Sequence, residues 1–449
     1  MGFKWLRKLL NPTNFYAAQR PVLRTTFITG MTPFTVFTNG TDSVLKCTTF
    51  GYLNSCLHSI LFCTCYVIAL LKQESVTGYF FNTEISSLGD ILQIWIGIVA
   101  LVMTFAYSIF QRDKLIDAFH SLAKTDQHFK EIGVETNYQS TLYYNYLLIV
   151  MSILIQISYC TVCVLVLASS NVYPCITAWM SFFLPFLMMS MVIVLFVCLV
   201  NQTRHRFHLL NKVLKSLRDI SNDKQLAAYN EKQESVKVVR IRQPLGISSV
   251  FSNTNRYMPD VINRVANIQD ELCDACNCVE EYFKVQMLAI VTISFLIAVF
   301  DSYYILETIF TDGHNNTPFS KLQFVMFFLY QGAVHMIGVV KIVFVSNKAV
   351  KENEKIAVNV HKLMNVNKYD EDLTRQLAQL SLQLTHRKVS FTAHGFFKLD
   401  FTLLFTLVGA ATTYLVILVQ FTLNQNEMCT QMVPNSTVRS MLNNSTNNA

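Results

Sequence analysis

Long apolar runs with few charges divide this chain into segments that could each cross a bilayer. Such a crossing takes about 20 apolar residues in a helix. Residues 136–203 hold no charge and are too long for one crossing, and the turn-forming stretch at 169–174 splits them in two. The predicted spans are 47–71, 91–111, 142–168, 174–201, 285–309, 322–340 and 401–425. The pattern predicts an all-α integral membrane protein with seven transmembrane helices.

Two polar segments between the spans are long enough to hold structure of their own. Residues 204–284 are predicted to extend span four, to form a loop over 221–255 and to become helical again from about 260. Residues 346–388 place Leu373, Leu377, Leu380 and Leu384 on one helical face. We expect these amphipathic helices to pack on each other or on neighbouring subunits beside the membrane.

The charge distribution orients the chain. Charged residues make up 14% and hydrophobic residues 52%, whereas a soluble domain carries about 25% charged residues. Of the 36 Lys and Arg residues, 33 fall on the side of the amino end and three on the other. The positive-inside rule then predicts a cytosolic amino end and an extracellular carboxyl end. The excess of Lys and Arg on the cytosolic side accounts for the net charge of +7, so we expect no nucleic-acid partner.

This topology gives a domain organisation and a set of candidate glycosylation sites. We predict a cytosolic amino segment (1–46), a six-helix bundle (47–345, with the cytosolic loop 204–284), a cytosolic anchor (346–399), a pore helix (400–423) and an extracellular tail (424–449). Glycosylation triplets begin on the outer side at Asn315, Asn435, Asn443 and Asn444. Triplets at Asn39 and Asn201 fall on the cytosolic side, where they could not be modified.

Motifs for catalysis, nucleotide binding or a cofactor are absent from the sequence, so we expect neither an enzyme nor a cofactor. Cys273, Cys276 and Cys278 lie close together beside Asp274, and such a set could bind zinc. No second cysteine pair follows at a useful spacing. We therefore favour packing over metal binding for these three thiols.

The seventh span carries a polar stripe. Its members recur every three or four residues: Thr402, Thr406, Gly409, Thr413, Ile417 and Gln420. At about 100° per residue they share one edge of a helix. One interpretation is that the threonines bond to their own backbone or to a neighbouring helix. The other is that copies of this helix line a water-filled pore.

The end of this span resembles the signature of the insect gustatory receptor family. Thr413 and Tyr414 are followed by five hydrophobic residues and then by Gln420 and Phe421. The approach to the span, 381–388 and 395–400, also looks like that family. Stretches at 78–83, 272–283 and 294–307 resemble the gustatory receptor twenty-eight subfamily, which is linked to bitter compounds, heat, light and ribonucleosides.

The resemblance implies a ligand-gated cation channel in the plasma membrane of sensory neurons. Four copies, identical or of related receptors, would surround one pore within membrane lipid, and cations would depolarise the cell when a small-molecule tastant binds. Gln420 and Phe421 would form the outer gate, with Ile417, Thr413 and Tyr414 beside them. An apolar ring can block ions by dewetting, and the stripe has no acidic ring, so we expect weak discrimination among cations.

The family's stimulus pocket is expected among the other spans, open to the outside. Polar and aromatic candidates there are Gln93, Trp95, Tyr159, Trp179, Tyr304, Tyr330, Gln331 and His335. Gln331 and His335, one helical turn apart, form the strongest pair. Asp301 and Glu307 are further candidates, because carboxyl groups within a span are costly. The alternative is that these aromatic residues are interfacial anchors and that His335 only packs.

Two other functions fit seven spans less well. A receptor coupled to a G protein needs its amino end outside, against the charge distribution, and no Asp-Arg-Tyr follows span three. A membrane enzyme or transporter needs charged or metal-binding residues at depth, which the sequence does not supply as a set.

Overall fold

The computed structural model describes residues 11–39, 42–72, 84–232, 258–310, 320–368 and 370–432. Ten helices lie in these ranges: α1 (Phe15–Ile28), α2 (Thr49–Lys72), α3 (Glu84–Phe110), α4 (Arg112–Glu131), α5 (Tyr138–Ser169), α6 (Ile176–Lys232), α7 (Met258–Phe310), α8 (Lys321–Val366), α9 (Glu371–His386) and α10 (Phe401–Met432). Two antiparallel hairpins, β1 (Phe34–Asn39) with β2 (Asp42–Cys47) and β3 (Thr392–Ala393) with β4 (Phe397–Lys398), complete the elements. The four predicted glycosylation sites lie outside the described residues.

Seven of these helices are long and apolar enough to cross a membrane: α2, α3, α5, α6, α7, α8 and α10. The prediction of a seven-span, mostly helical protein is therefore confirmed. Local signals set several ends. Asn137 caps α5 and Ser320 forms a capping box with Gln323 at the start of α8. Past the end of α5, Asn171 adopts a φ of 56°, as predicted for a turn before α6.

The prediction of a loop over 221–255 is wrong for 221–232, because α6 remains helical to Lys232. The rest of that predicted loop lies outside the described residues. Beyond the apolar span, Leu210, Val213, Leu214 and Leu217 keep a three- and four-residue spacing and are buried. The polar residues between them masked this periodicity. The predicted helical segment 346–388 is divided between the end of α8 and α9, because α8 ends at Val366 and Asp370 caps α9.

Four elements were not predicted: α1, α4 and the two hairpins, β1–β2 and β3–β4. Each is too short or too polar to stand out beside a 20-residue apolar run. Helix α1 buries Ala18 and Val22 completely, and it packs on α5 and α6. Helix α4 buries Leu115, Phe119 and Leu122 against α7. The connection between the second and third spans is therefore a packed helix and not a free loop.

Most of the hydrophobic core lies where α6, α7 and α8 run on past the apolar spans and pack together with α4 and α9. A second, smaller cluster of aromatic side chains, including Tyr303, Tyr304, Phe327 and Phe328, lies near the opposite ends of α5 to α8. This arrangement leaves α10 at the edge of the protomer, where only 6% of its most apolar stretch is buried.

A buried ion pair ties α4 to α6. The guanidinium of Arg206 donates to both carboxylate oxygens of Asp126 at 2.9 and 2.8 Å. Both side chains are almost inaccessible to solvent. The ring of Phe15 on α1 lies 4.8 Å from the guanidinium carbon. Because a planar guanidinium matches a carboxylate in two parallel bonds, the pair fixes the relative position of three helices.

Candidate functional site

Helix α10 turns one edge toward the protomer and the polar stripe away from it. The inner edge consists of leucines that pack on the core, among them Leu403, Leu407 and Leu415. The six stripe residues defined above are all exposed. At 100° per residue the stripe lies roughly 140° from the leucine edge. The isolated protomer therefore presents the polar side of its last span outward.

Two hydroxyl groups of the stripe, those of Thr406 and Thr413, bond to their own helix. Thr406 donates to the carbonyl oxygen of Thr402 at 3.0 Å, and Thr413 donates to that of Gly409 at 3.1 Å. Off the stripe, Thr412 makes the same kind of bond to Val408. Such bonds satisfy each hydroxyl proton and leave its oxygen able to accept from water. A helix of this kind is compatible with either interpretation of the stripe.

The base of α10 is attached to α7 through α9 and the β3–β4 hairpin. Arg387 donates to Asp270 and to Asp274, both at 2.5 Å, and Thr392 donates to Glu280 at 2.5 Å. Partial burial lowers the pKa of Arg387, but the bonds to the two carboxylates outweigh it and raise the pKa above its ordinary value. The Asp400 carboxylate then caps the first turn of α10. A shift of α7 would therefore reach the start of the last span.

A cavity of about 110 Å³ lies among α2, α3, α5, α6, α7 and α8. Four of the predicted ligand residues line it: Gln93, Tyr159, Gln331 and His335. Aromatic and apolar side chains form most of the remaining wall, including Phe182 and Phe186 of α6. An apolar cavity with a few polar groups is typical of small-molecule sites.

Hydrogen bonds fix the orientation of the polar groups in this cavity. The Tyr159 hydroxyl donates to Gln331 Oε1 at 3.1 Å, and Gln331 Nε2 donates to Asp301 Oδ1 at 3.2 Å. His335 Nδ1 lies 3.0 Å from the backbone oxygen of Gln331. Since a carbonyl oxygen only accepts, Nδ1 carries the proton, and a neutral His335 ring offers Nε2 as an acceptor.

Asp301 sits behind this wall and is itself buried. One carboxylate oxygen bonds to Gln331, while Oδ2 has no hydrogen-bond partner among the described residues. Polar groups buried at membrane depth are costly. Asp301 therefore supports the cavity indirectly, by holding the Gln331 amide in one orientation.

The other predicted ligand residues do not line this cavity. Trp95 is 56% exposed on the outer surface of α3. Trp179 stacks on Phe183, with ring centroids 5.2 Å apart. Tyr304 is buried in the aromatic cluster near the ends of α5 to α8. The Tyr330 hydroxyl lies 2.6 Å from Ser158 Oγ.

Several lining residues escaped the sequence analysis. Tyr66 of α2 also lines the cavity, and Pro185 lies within α6 beside Phe182 and Phe186. Phenylalanine is common on lipid-facing helices, so Phe182 and Phe186 could not be recognised as lining residues from the sequence. A proline within a span was the available signal, because it loosens the backbone hydrogen bonds where helices line a cavity.

The three clustered cysteines stay free thiols in the described structure. Cys273 accepts a hydrogen bond from Gln269 at 2.9 Å and approaches the backbone oxygen of Arg387 at 3.6 Å. Within the described ranges no group of three or more potential metal ligands is assembled. Cys273 and Cys276 are buried where α9 packs on α7.

Comparison with known proteins finds a matching family and two relatives of similar length. The family model described as 7tm Chemosensory receptor matches residues 19–425. The Drosophila melanogaster protein named gustatory receptor 28b is 33% identical over 424 residues, which cover 93% of this chain and 88% of that protein. Gustatory receptor 28a from the same organism is also 33% identical, over 94% of this chain and 95% of its own length.

The fold also has counterparts among solved structures. The insect olfactory receptor OR5 from Machilis hrabei superposes with a TM-score of 0.57 at 11% identity, over 93% of this chain and 98% of that chain. Its complex with eugenol gives 0.56 at 12% identity. At this level of identity the likeness shows a common fold.

Proposed function

Because the chain belongs to the 7tm chemosensory receptor family and is a multi-pass membrane protein, we propose that it is a gustatory receptor that forms its own ligand-gated cation channel. The family is one of chemoreceptors and not of enzymes. In the proposed assembly four protomers surround one axis in the plasma membrane of a sensory neuron. Each contributes its α10 to the pore.

The exposed polar stripe of α10 is the observation that carries this proposal. Threonine and glutamine side chains on a span rarely face lipid when an apolar edge is available. Here the leucine edge packs on the protomer and the polar stripe is exposed. The stripe therefore needs a polar environment outside its own protomer. A hydrated axis shared by several copies supplies it. In that setting Gln420 lies near the outer end, with Phe421 beside it as the apolar gate.

The cavity among α2, α3, α5, α6, α7 and α8 is the proposed stimulus site. It supplies aromatic walls for a small molecule and a Gln331 amide that its neighbours hold in place. Binding opens the channel only if the molecule has a higher affinity for the open arrangement of these helices. The resulting shift of α7 passes to α10 through the Arg387 contacts.

The uneven charge distribution supports an orientation with the amino end in the cytosol. In this orientation α4, α9 and the extensions of α6, α7 and α8 lie on the cytosolic side. The proposed stimulus site then lies toward the outer half of the membrane, where a tastant arrives.

Patch-clamp recording from cells that express Gln420→Ala tests the pore assignment, with the single-channel conductance as the readout. Cells that express the chain are exposed to bitter compounds, sugars, nucleosides and heat, and the current evoked by the effective stimulus is measured. Loss of an amide contact worth about 1 kcal/mol to a partly dehydrated cation predicts about a fivefold change in single-channel conductance. The control is Val419→Ala, one residue earlier and about 100° around the helix.

Equal conductance in the Gln420→Ala variant, the Val419→Ala variant and the parent chain would remove Gln420 from the pore. Absence of any current from the purified chain in lipid bilayers, under a stimulus that activates the intact cell, would exclude the channel itself.

A further inference from the structure

A second cavity, which we call the inner groove, lies between α5, α6, α7 and α8. Its volume is about 310 Å³, nearly three times that of the proposed stimulus site. The two cavities share a wall formed by Phe186, Met189 and His335. From this wall the inner groove extends away from the proposed stimulus site, toward the cytosolic ends of the same helices.

The inner groove opens on the surface that faces the bilayer. Three of its lining side chains, Leu147, Met151 and Ile337, are 58%, 49% and 53% exposed. Its lining is apolar except for a few hydroxyl groups, the ring of His335 and one charged residue. Water can form few hydrogen bonds in such a groove, whereas a hydrocarbon chain is favoured there.

The length of the inner groove matches one leaflet of a membrane. Lining residues run from Tyr144 to Ile155 on α5 and from Phe186 to Val197 on α6. Eleven residues of helix rise by about 16 Å. Half of the hydrocarbon core of a bilayer is about 15 Å. A hydrocarbon chain that enters from the cytosolic interface would thus reach the shared wall near mid-membrane.

One charged side chain marks the cytosolic end of the inner groove. Lys341 of α8 lines the groove there and is exposed. Its ammonium group takes part in none of the ion pairs formed within the described ranges. The cytosolic leaflet carries the anionic lipids, and a lysine at its surface attracts their head groups.

We propose that the inner groove binds an acyl chain of an anionic glycerophospholipid from the cytosolic leaflet, with the net negative head group of the lipid paired to Lys341. The apolar length holds the acyl chain, and the ammonium group selects the head group. The choice of leaflet rests on the orientation proposed above. The binding itself does not depend on whether the chain conducts ions.

Native mass spectrometry of the full-length chain in mild detergent tests this site. The probes are a phosphatidylserine and a phosphatidylcholine with identical acyl chains. We expect phosphatidylserine to be retained preferentially. Lys341→Gln should lower its retention about tenfold, because a charge-assisted contact worth about 1.4 kcal/mol is lost. Lys351→Gln, an exposed lysine on the same helix outside the groove, is the matched control and should retain lipid like the parent.

Two groove-filling variants test where the acyl chain lies. Ser152→Phe fills the groove from α5, and Met151→Trp obstructs its exposed rim without repacking buried side chains. Both should lower retention of both lipids. Unchanged retention in both variants would overturn the groove as the site, and equal retention of phosphatidylserine by Lys341→Gln and the parent would overturn the head-group assignment. Because no current is measured, these results are independent of the channel proposal.

Discussion

At the scale of single residues, the side chain of Gln331 links the proposed stimulus site to the buried carboxyl group behind it. Its oxygen accepts from Tyr159 and its nitrogen donates to Asp301. Both ends of the amide are therefore engaged before any ligand arrives. A site with polar groups held in place loses less conformational entropy when it binds.

Removing the Tyr159 hydroxyl should weaken the response to the stimulus. Tyr159→Phe keeps the ring and frees the Gln331 oxygen, so that the amide can rotate. A lost hydrogen bond worth about 1 kcal/mol predicts about a fivefold higher half-maximal stimulus concentration. The measurement is a concentration–response curve of the evoked current.

The control is Tyr330→Phe. This hydroxyl lies 2.6 Å from Ser158 Oγ, outside the stimulus cavity. The proposed site predicts a normal response in this variant. Equal shifts in the two variants, or no shift in Tyr159→Phe, would count against the cavity as the stimulus site.

Sequence reasoning reached part of this cavity. Gln331 and His335 stood out because they are polar, lie within a span and are one turn apart. Phe182 and Phe186 could not stand out, because membrane helices carry many phenylalanines on every face. Trp95 and Tyr330 had the right chemistry and depth, but the rotation of each helix about its axis depends on packing between helices, which one sequence does not reveal.

At the scale of helices, the pair between Arg206 and Asp126 joins α4 to α6 beside α1. Asp126→Asn should destabilise the fold by about 3–5 kcal/mol, because it leaves the buried Arg206 charge uncompensated. The measurement is the midpoint of thermal unfolding in detergent, which should fall clearly below that of the parent.

Asp372→Asn provides the comparison, since it breaks an exposed pair with Arg375 on α9. Exposed pairs contribute about 0–1 kcal/mol, so this midpoint should hardly move. If the two variants unfolded at the same temperature, the buried pair would not be what holds α4 in place.

The apolar runs were sufficient to predict the seven spans, because a bilayer demands length and hydrophobicity from each one. They were insufficient for α1, α4 and the cytosolic end of α6. These elements depend on contacts with other helices rather than on lipid, so their apolar residues are sparse. Val213 and Leu217, for example, are buried only because α6 continues alongside its neighbours.

At the scale of the whole molecule, a single protomer has apolar spans and a polar edge that no other element among the described residues covers. Leu403 and Leu407 of α10 face the protomer, while Thr406 and Thr413 face away from it. The central claim of the proposed function rests on this division: several copies together would place their polar edges around water. The assembly, rather than the fold of one chain, would then create the pore.

Reaction of single cysteines on α10 with a membrane-impermeant cationic thiol reagent tests this claim most directly. Thr413 and Thr412 are adjacent, both exposed, and bonded alike to their own helix, but they point about 100° apart. Applied from outside to stimulated cells, the reagent should block the current of Thr413→Cys and leave Thr412→Cys like the parent, which reports the native cysteines. Block of Thr412→Cys with no effect on Thr413→Cys would contradict the account.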